Sequence, residues 1–433
     1  MVPRGNRVQH RAIRPIARWP LVRPPRGVGR SRRRKVSARG VCQPVTRRLS
    51  GVHSPTPRWR TTFAALGVRS YRQWFFSQVL SASGTMTQVV ALSWLVLQLT
   101  HSGVDLGLLT TAALLPMLLA GPFSGALVDR VDRRVLLMVT QSLYIALSVV
   151  MAIITATGTV KVWMVFATAF ASGVGDDQHL GPALGGLLLA TEGVSACCWA
   201  NALSFVPSLA VLVTHRHIAR VPRAHSTQHD PRFIVGWRYA WRHPTIRLVL
   251  FLAAASGMLF NMNVPLPLLA TRVFHLGAGG YGLMMSVFGI GGILGGLAAA
   301  ASHALPRRSS VLILAAATGA IVIATASARN AGELYAGLAV TGCVSIWFIA
   351  RANALVQFET ELALRGRVMA LWSMALPGCM PFLSPLVGWV GTSVGARESF
   401  ALSGATMLVL TGAGSIRARS RTDSTVSDGR ASD

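Results

Sequence analysis

Few residues in this chain are equipped for polar chemistry, and they fall into three groups. The first is the turn Gly125-Ala126-Leu127-Val128-Asp129-Arg130-Val131-Asp132-Arg133-Arg134. Its carboxylate at Asp129 stands among the cations Arg130, Arg133 and Arg134, which suits a breakable ion pair rather than bond-making. A carboxylate near the start of a following helix is also favoured by ~0.3–1 kcal/mol. The second group is Gln88, Asn261 and Asn263, uncharged amides inside long apolar runs. Amides there either bind a small molecule or tie helices together, and both readings stay open. The third is Arg351, alone in the apolar run 344–356. A guanidinium so placed needs an anion, a carbonyl or water. It either holds an anionic ligand or snorkels toward the polar end near Glu359.

Other chemistries are excluded. The chain has no G-x-x-x-x-G-K-[ST] phosphate loop, which argues against an ATP-driven pump. Cys42, Cys197, Cys198, Cys343 and Cys379 lack metal-ligand spacing. No metal, cofactor or enzymatic nucleophile is expected.

The elements that position these residues are apolar and long. Charged residues make up 13% of the chain, half the usual ~25%. Apolar runs lie near 74–99, 104–128, 135–157, 160–175, 181–192 and 194–214, then near 248–271, 279–302, 310–327, 332–355, 368–391 and 396–414. A bilayer crossing takes ~20 residues, so the composition predicts an all-α polytopic membrane protein of about twelve transmembrane segments in two six-helix halves. The halves are residues 61–214 and 248–414, joined by a basic cytoplasmic linker at 215–247 and followed by a disordered C-terminal tail at 415–433. Turns carrying Arg133-Arg134, Arg307-Arg308 and Arg365 with Arg367 alternate with turns poorer in Arg. Basic loops stay inside, so both termini are expected in the cytoplasm and the chain in the cell's inner membrane.

Residues 1–60 hold seventeen of the 42 basic residues and no acid, and the first acid of the chain is Asp105. Arg is scattered there among Pro and Gly with no periodic apolar face, so the segment reads as a disordered tail. Anionic lipid, nucleic acid, or an extension without function, arising from an assumed translation start, are its three readings. The last fits the absence of any folded face, and no nucleic-acid partner is expected.

The spacing G-x-x-x-D-R-x-x-x-R over 125–134 resembles the signature between the second and third helices of the major facilitator superfamily. Trp94–Thr100, Asn261–Leu268, Tyr281–Gly289 and Leu364–Trp372 resemble its enterobactin-exporter-like efflux branch. That resemblance implies the major facilitator fold and a gating latch at Gly125, Asp129, Arg130, Arg133 and Arg134. The opposing reading of this turn is a loop that only sets topology. It also implies a substrate path near Gln88, Asn261 and Asn263, with Arg351 as a further candidate. Gly181, Pro182, Gly185 and Gly186 resemble the family's antiporter motif. The implied activity is export of a drug- or siderophore-like amphipathic small molecule in exchange for protons, by a monomer in the lipid bilayer.

One stretch departs from the family. Helices four and five are full spans there, but runs 160–175 and 181–191 offer only ~24 and ~16 Å of helix against a ~30 Å hydrocarbon core. Three to four turns are missing on each side, near 175–181, and Asp177 stands where the antiporter motif has Gly. A degenerate, transport-inactive family member is therefore the alternative. For the tail, deletion of residues 1–60 is expected to leave membrane content and topology unchanged in fractionation and reporter-fusion assays. A shortened chain that inserts inverted, or not at all, would show that the Arg cluster directs insertion.

Overall fold

The computed structural model describes residues 67–130, 132–173, 182–214, 233–302 and 305–430. They form helices α1 (Arg69–Thr100), α2 (Gly103–Arg130), α3 (Arg133–Ala156), α4 (Val162–Ser172), α5 (Pro182–Thr214), α6 (Phe233–Arg242) and α7 (Pro244–Phe260). There follow α8 (Pro265–Leu268) with a π turn at Leu269–Val273, then α9 (Ala278–Ala301), α10 (Arg308–Ala326), α11 (Ala331–Glu359), α12 (Arg365–Ser393) and α13 (Ala396–Arg430). Among the described residues eight helical spans are long and apolar enough to cross a membrane. The short α4 has 11 residues, a rise of only ~16 Å.

Local chemistry explains the boundaries. Asp132 caps α3, its Oδ1 accepting from the Arg134 N–H at 2.9 Å. Asn330 accepts from the Glu333 N–H at 2.8 Å while the Glu333 carboxylate accepts from the Arg329 N–H at 2.8 Å, a reciprocal box that starts α11. Pro244 opens α7, where its missing N–H costs nothing. In α5 the backbone breaks at Gly193, with φ 78°, so α5 is an arm of residues 182–192 followed by an arm of residues 194–214. In the linker, α6 carries Trp237 stacked on Trp241 at 5.4 Å. Both are about half exposed, as a helix at the headgroup layer requires.

The two halves, α1–α5 and α7–α13, pair their helices alike. In the first, α5 packs on α1 and α3. In the second, α12 and α13 pack on α7, and α13 on α10. The halves meet where α2 lies on α12 and α5 on α9. Gly103 and Gly388 bring α2 and α12 within backbone contact, and a Cβ on either would collide with the other's carbonyl.

A bond repeated in both halves measures them. Arg134 at the start of α3 donates from Nε to the Leu212 carbonyl at 2.9 Å and from Nη2 to Val213 at 3.1 Å. Arg308 at the start of α10 donates from Nη2 to the Gly414 carbonyl at 3.1 Å. The loop so closed spans 78 positions in the first half and 106 in the second. The first half is therefore 28 residues shorter between its third and sixth spans, close to eight helical turns.

The C-terminal segment differs from expectation. Its polar residues 415–430, expected as disordered tail, continue α13 to Arg430. No Pro or Gly falls between Gly414 and Gly429, so nothing breaks the helix once α13 has started it.

Arg134→Gln and Arg308→Gln should each lower the melting temperature of the purified protein. Each removes a charge-assisted bond to a helix carbonyl, worth ~1.5–3 kcal/mol. Lys at either position should restore only part of the loss, since an ammonium lacks the planar fork. Unchanged melting in both Gln variants would show that these contacts carry no stability.

Candidate functional site

The seventh span is broken near its middle. Helix α7 stops at Phe260, and Asn261 leaves helical geometry at φ −78°, ψ 45°. Pro265 and Pro267 follow, and neither has an N–H to continue the ladder. Inside a bilayer such a break persists only where other groups satisfy the freed backbone. Broken helices of this kind mark binding sites in transporters.

The side chains at this break cross between the halves. Asn261, 2% exposed, donates from Nδ2 to Ser384 Oγ of α12 at 2.8 Å and accepts at Oδ1 from Thr110 Oγ1 of α2 at 3.3 Å. Beside it Thr111 donates to the Pro381 carbonyl at 2.7 Å. The Tyr281 hydroxyl of α9 donates to Asn263 Oδ1 at 3.2 Å, and its ring stacks on Trp94 of α1 at 5.9 Å. Arg272 in the π turn donates from Nη2 to the His101 carbonyl at the end of α1 (2.8 Å) and from Nη1 to Gly391 at the end of α12 (3.4 Å). These contacts form a seam toward the end of the molecule where α1 meets α2.

Gln88 lies in a separate polar cluster within the first half. Its Oε1 accepts from Ser148 Oγ of α3 at 2.7 Å and from Asn201 Nδ2 of α5 at 2.5 Å. All three residues are buried, and the Asn201 Oδ1 has no hydrogen-bond partner. In this state Gln88 ties three helices together and is closed off from the seam. Arg351, also buried, donates from Nη1 to Ser302 Oγ at 3.4 Å and from Nη2 to the Leu305 carbonyl at 3.0 Å, just beyond the end of α9.

Of the latch residues, the structure places the side chain of Arg134 alone, on the carbonyls of α5. The side chains of Gly125, Asp129, Arg130 and Arg133 lie outside the described residues. So do Gly181 and the side chains at Pro182, Gly185 and Gly186, although the backbone from Pro182 opens α5. The residues that complete the site and that sequence reasoning missed are Thr110, Ser384, Tyr281 and Arg272. Each is an ordinary residue of an apolar run or turn, and only the helix pairing brings it to Asn261 or across the seam.

Comparison with known proteins agrees with this architecture. The chain matches the family model of transmembrane secretion effectors in two stretches, residues 60–179 and 177–431. It is 22% identical to the staphyloferrin A transporter of Staphylococcus aureus over 378 aligned positions, covering 78% of this chain and 94% of that protein. It is 26% identical to the multidrug efflux pump Tap of Mycolicibacterium fortuitum over 379 positions, covering 77% of this chain and 92% of that one. Among solved structures, the nucleoside transporter NupG superposes with a TM-score of 0.61 at 12% identity, covering 81% of this chain and 99% of NupG. A bacterial homologue of the lysosomal transporter Spinster, in an inward-facing conformation, superposes with a TM-score of 0.54 at 13% identity, covering 80% and 96%. At such identities these structures bear on fold alone.

The same comparisons locate the shortening. The two stretches of the family match meet at 177–179, between α4 and α5. The staphyloferrin alignment has 378 positions but uses 78% of a 433-residue chain, about 338 residues, so about 40 positions have no counterpart here. That total counts gaps along the whole alignment. The 28 residues read from the repeated Arg bond are the local measure.

The seam yields a prediction. Asn261→Ala removes the cross-half bond to Thr110, worth ~1 kcal/mol, together with the Ser384 bond inside the second half, and a change of ~1 kcal/mol shifts a two-state ratio by ~5-fold. Spin labels at Thr100 and Ser393, on opposite halves at the seam end, should then report longer and broader distances by pulsed electron resonance. Gln88→Ala, acting within one half, should lower thermal stability and leave that distance distribution unchanged. Identical distributions in wild type and Asn261→Ala would show that Asn261 does not hold the seam.

Proposed function

Because the chain belongs to the transmembrane secretion effector family of the major facilitator superfamily, we propose that it is a secondary active exporter of an amphipathic small molecule, drug- or siderophore-like, driven by exchange with protons. The observation that carries this reading is the broken seventh span at Asn261, whose buried amide is bonded to both halves at once. Rocking of the halves would part Asn261 from Thr110 and leave its amide oxygen free for a substrate, which is the polar group such a site needs. The staphyloferrin transporter and the Tap efflux pump support a siderophore-like or drug-like cargo. With the basic turns inside, both termini lie in the cytoplasm and the seam faces outward. The Asp129 turn then sits at the inner end, where it serves as the opposing latch. Asn263, bonded to Tyr281, borders the path, whereas Arg351 serves as a helix-end support.

A second reading is favoured by one observation. The 28-residue deficit removes most of two spans from the first half, and a transport-inactive family member would follow if that half cannot seal. Proteoliposomes distinguish the two. With an imposed proton gradient, metal-free siderophores or cationic dyes should move at rates that collapse when the gradient is dissipated. Absence of gradient-dependent flux across such a panel, with the protein folded and inserted, selects the inactive reading.

A further inference from the structure

The shortened region leaves a groove in the first half that its counterpart in the second half lacks. In the second half, the first turns of α12 bury Val368 and Leu371 in the cluster that contains α7. Ile246 and Val249 of that cluster, and Ala253 farther along α7, are each 1% exposed. The pairs Ser83-Gly84 in α1 and Ser256-Gly257 in α7 set the register between the halves, and in that register the three α7 residues correspond to Gln73, Phe76 and Leu80 of α1. Phe76 is 58% exposed and Leu80 46%. Among the described residues no helix turn covers Phe76 and Leu80 as α12 covers α7.

A groove of about 370 Å³ runs there between α1 and the second arm of α5. Its walls are Phe76, Ser77 and Leu80 on one side and Pro207, Ala210 and Val211 on the other. That volume falls in the range of small-ligand sites, ~300–1,000 Å³. Arg69 and Arg72 are exposed and lie within about one helical turn of Gln73, which borders the groove. Arg72, Phe76 and Leu80 repeat every four residues and so share one row of the helix surface. No acid precedes Asp105 in the sequence, so nothing on α1 offsets the two guanidinium groups.

We propose that this groove binds one anionic phospholipid of the surrounding bilayer, an acyl chain lying against Phe76 and Leu80 and the phosphate held by Arg69 and Arg72. The match is between an apolar groove and a pair of planar cations suited to phosphate oxygens. The surface of an anionic leaflet raises the local supply of such headgroups. The inference does not depend on transport, so a failure of export would leave it standing.

Native mass spectrometry of the full chain, with palmitoyl-oleoyl phosphatidylglycerol or phosphatidylcholine added to the detergent, tests the site. One phosphatidylglycerol per chain should resist collisional removal, with retention at least tenfold above that of phosphatidylcholine. Changing Arg69→Gln and Arg72→Gln together should abolish that preference. Ala210→Trp, which fills the groove, should release the retained lipid of either kind. The Arg-rich tail is intact in every variant, so lipid held by the tail would persist in all of them. The arginine variant alters only exposed side chains and decides the matter even if the Trp variant does not fold. Undiminished preference in the arginine variant would overturn the proposal. So would an Ala210→Trp chain that loses a dimer rather than a lipid, which would make the groove a contact between copies.

Discussion

A helix that ends in or beside hydrocarbon leaves carbonyls that water does not reach, and this protein answers with arginine. Arg134 serves the end of α5 and Arg308 the Gly414 carbonyl inside α13, where the apolar span gives way to its polar extension. Arg397 donates to Ala326 at the end of α10 at 3.4 Å. Arg272 serves the ends of α1 and α12 together, and Arg351 a carbonyl just past α9. The chain has 14 acids against 42 basic residues, so backbone carbonyls take the place that carboxylates hold elsewhere. A helix C-terminus carries about half a negative charge, and a guanidinium there meets both the field and the unpaired oxygens. Four of these five bonds tie one helix to another that is distant in the sequence, so the same contacts that satisfy the backbone also hold the bundle in register.

Not all of this could be seen in the sequence. The spans were legible because crossing length is a property of some twenty consecutive residues and needs no partner. The shortening of the fourth and fifth spans was legible for the same reason, as a count of residues between fixed landmarks. The partners of the polar residues were not. Gln88 is visibly odd in an apolar helix, yet Ser148 and Asn201 lie 60 and 113 positions away, and only the packing of α1, α3 and α5 joins them. Arg351 was equally conspicuous, but its place depends on where α9 stops. Two signals were present and went unread. Pro265 and Pro267 announce the break at Asn261, and the doublets Arg133-Arg134 and Arg307-Arg308 mark matched positions of the two halves. The tail after Gly414 was misread for a different reason. Polar composition says that a segment cannot fold alone, but not that it cannot prolong a helix already nucleated.

The seam and the helix-end arginines divide the work. Asn261, Thr110, Ser384 and the Tyr281–Asn263 pair are neutral, and neutral bonds between helices in membranes are weak, ~0.6–2 kcal/mol each. Such contacts can be exchanged for contacts to a ligand at small net cost. The helix-end bonds involve a full charge, and apart from Arg272 to His101, which itself crosses the seam, they lie within one half and hold it together.

Guanidinium also keeps its proton at every pH a living cell meets. A frame tied by histidine or by carboxylates would slacken and tighten as its compartment acidified, and a carrier powered by an acid–base gradient would have its scaffold titrated along with its cargo site. Here the acceptors at Arg134, Arg272, Arg308 and Arg397 are backbone carbonyls, which have no proton to gain or lose in that range. The helix ends are thus held through oxygens that no shift in acidity can change.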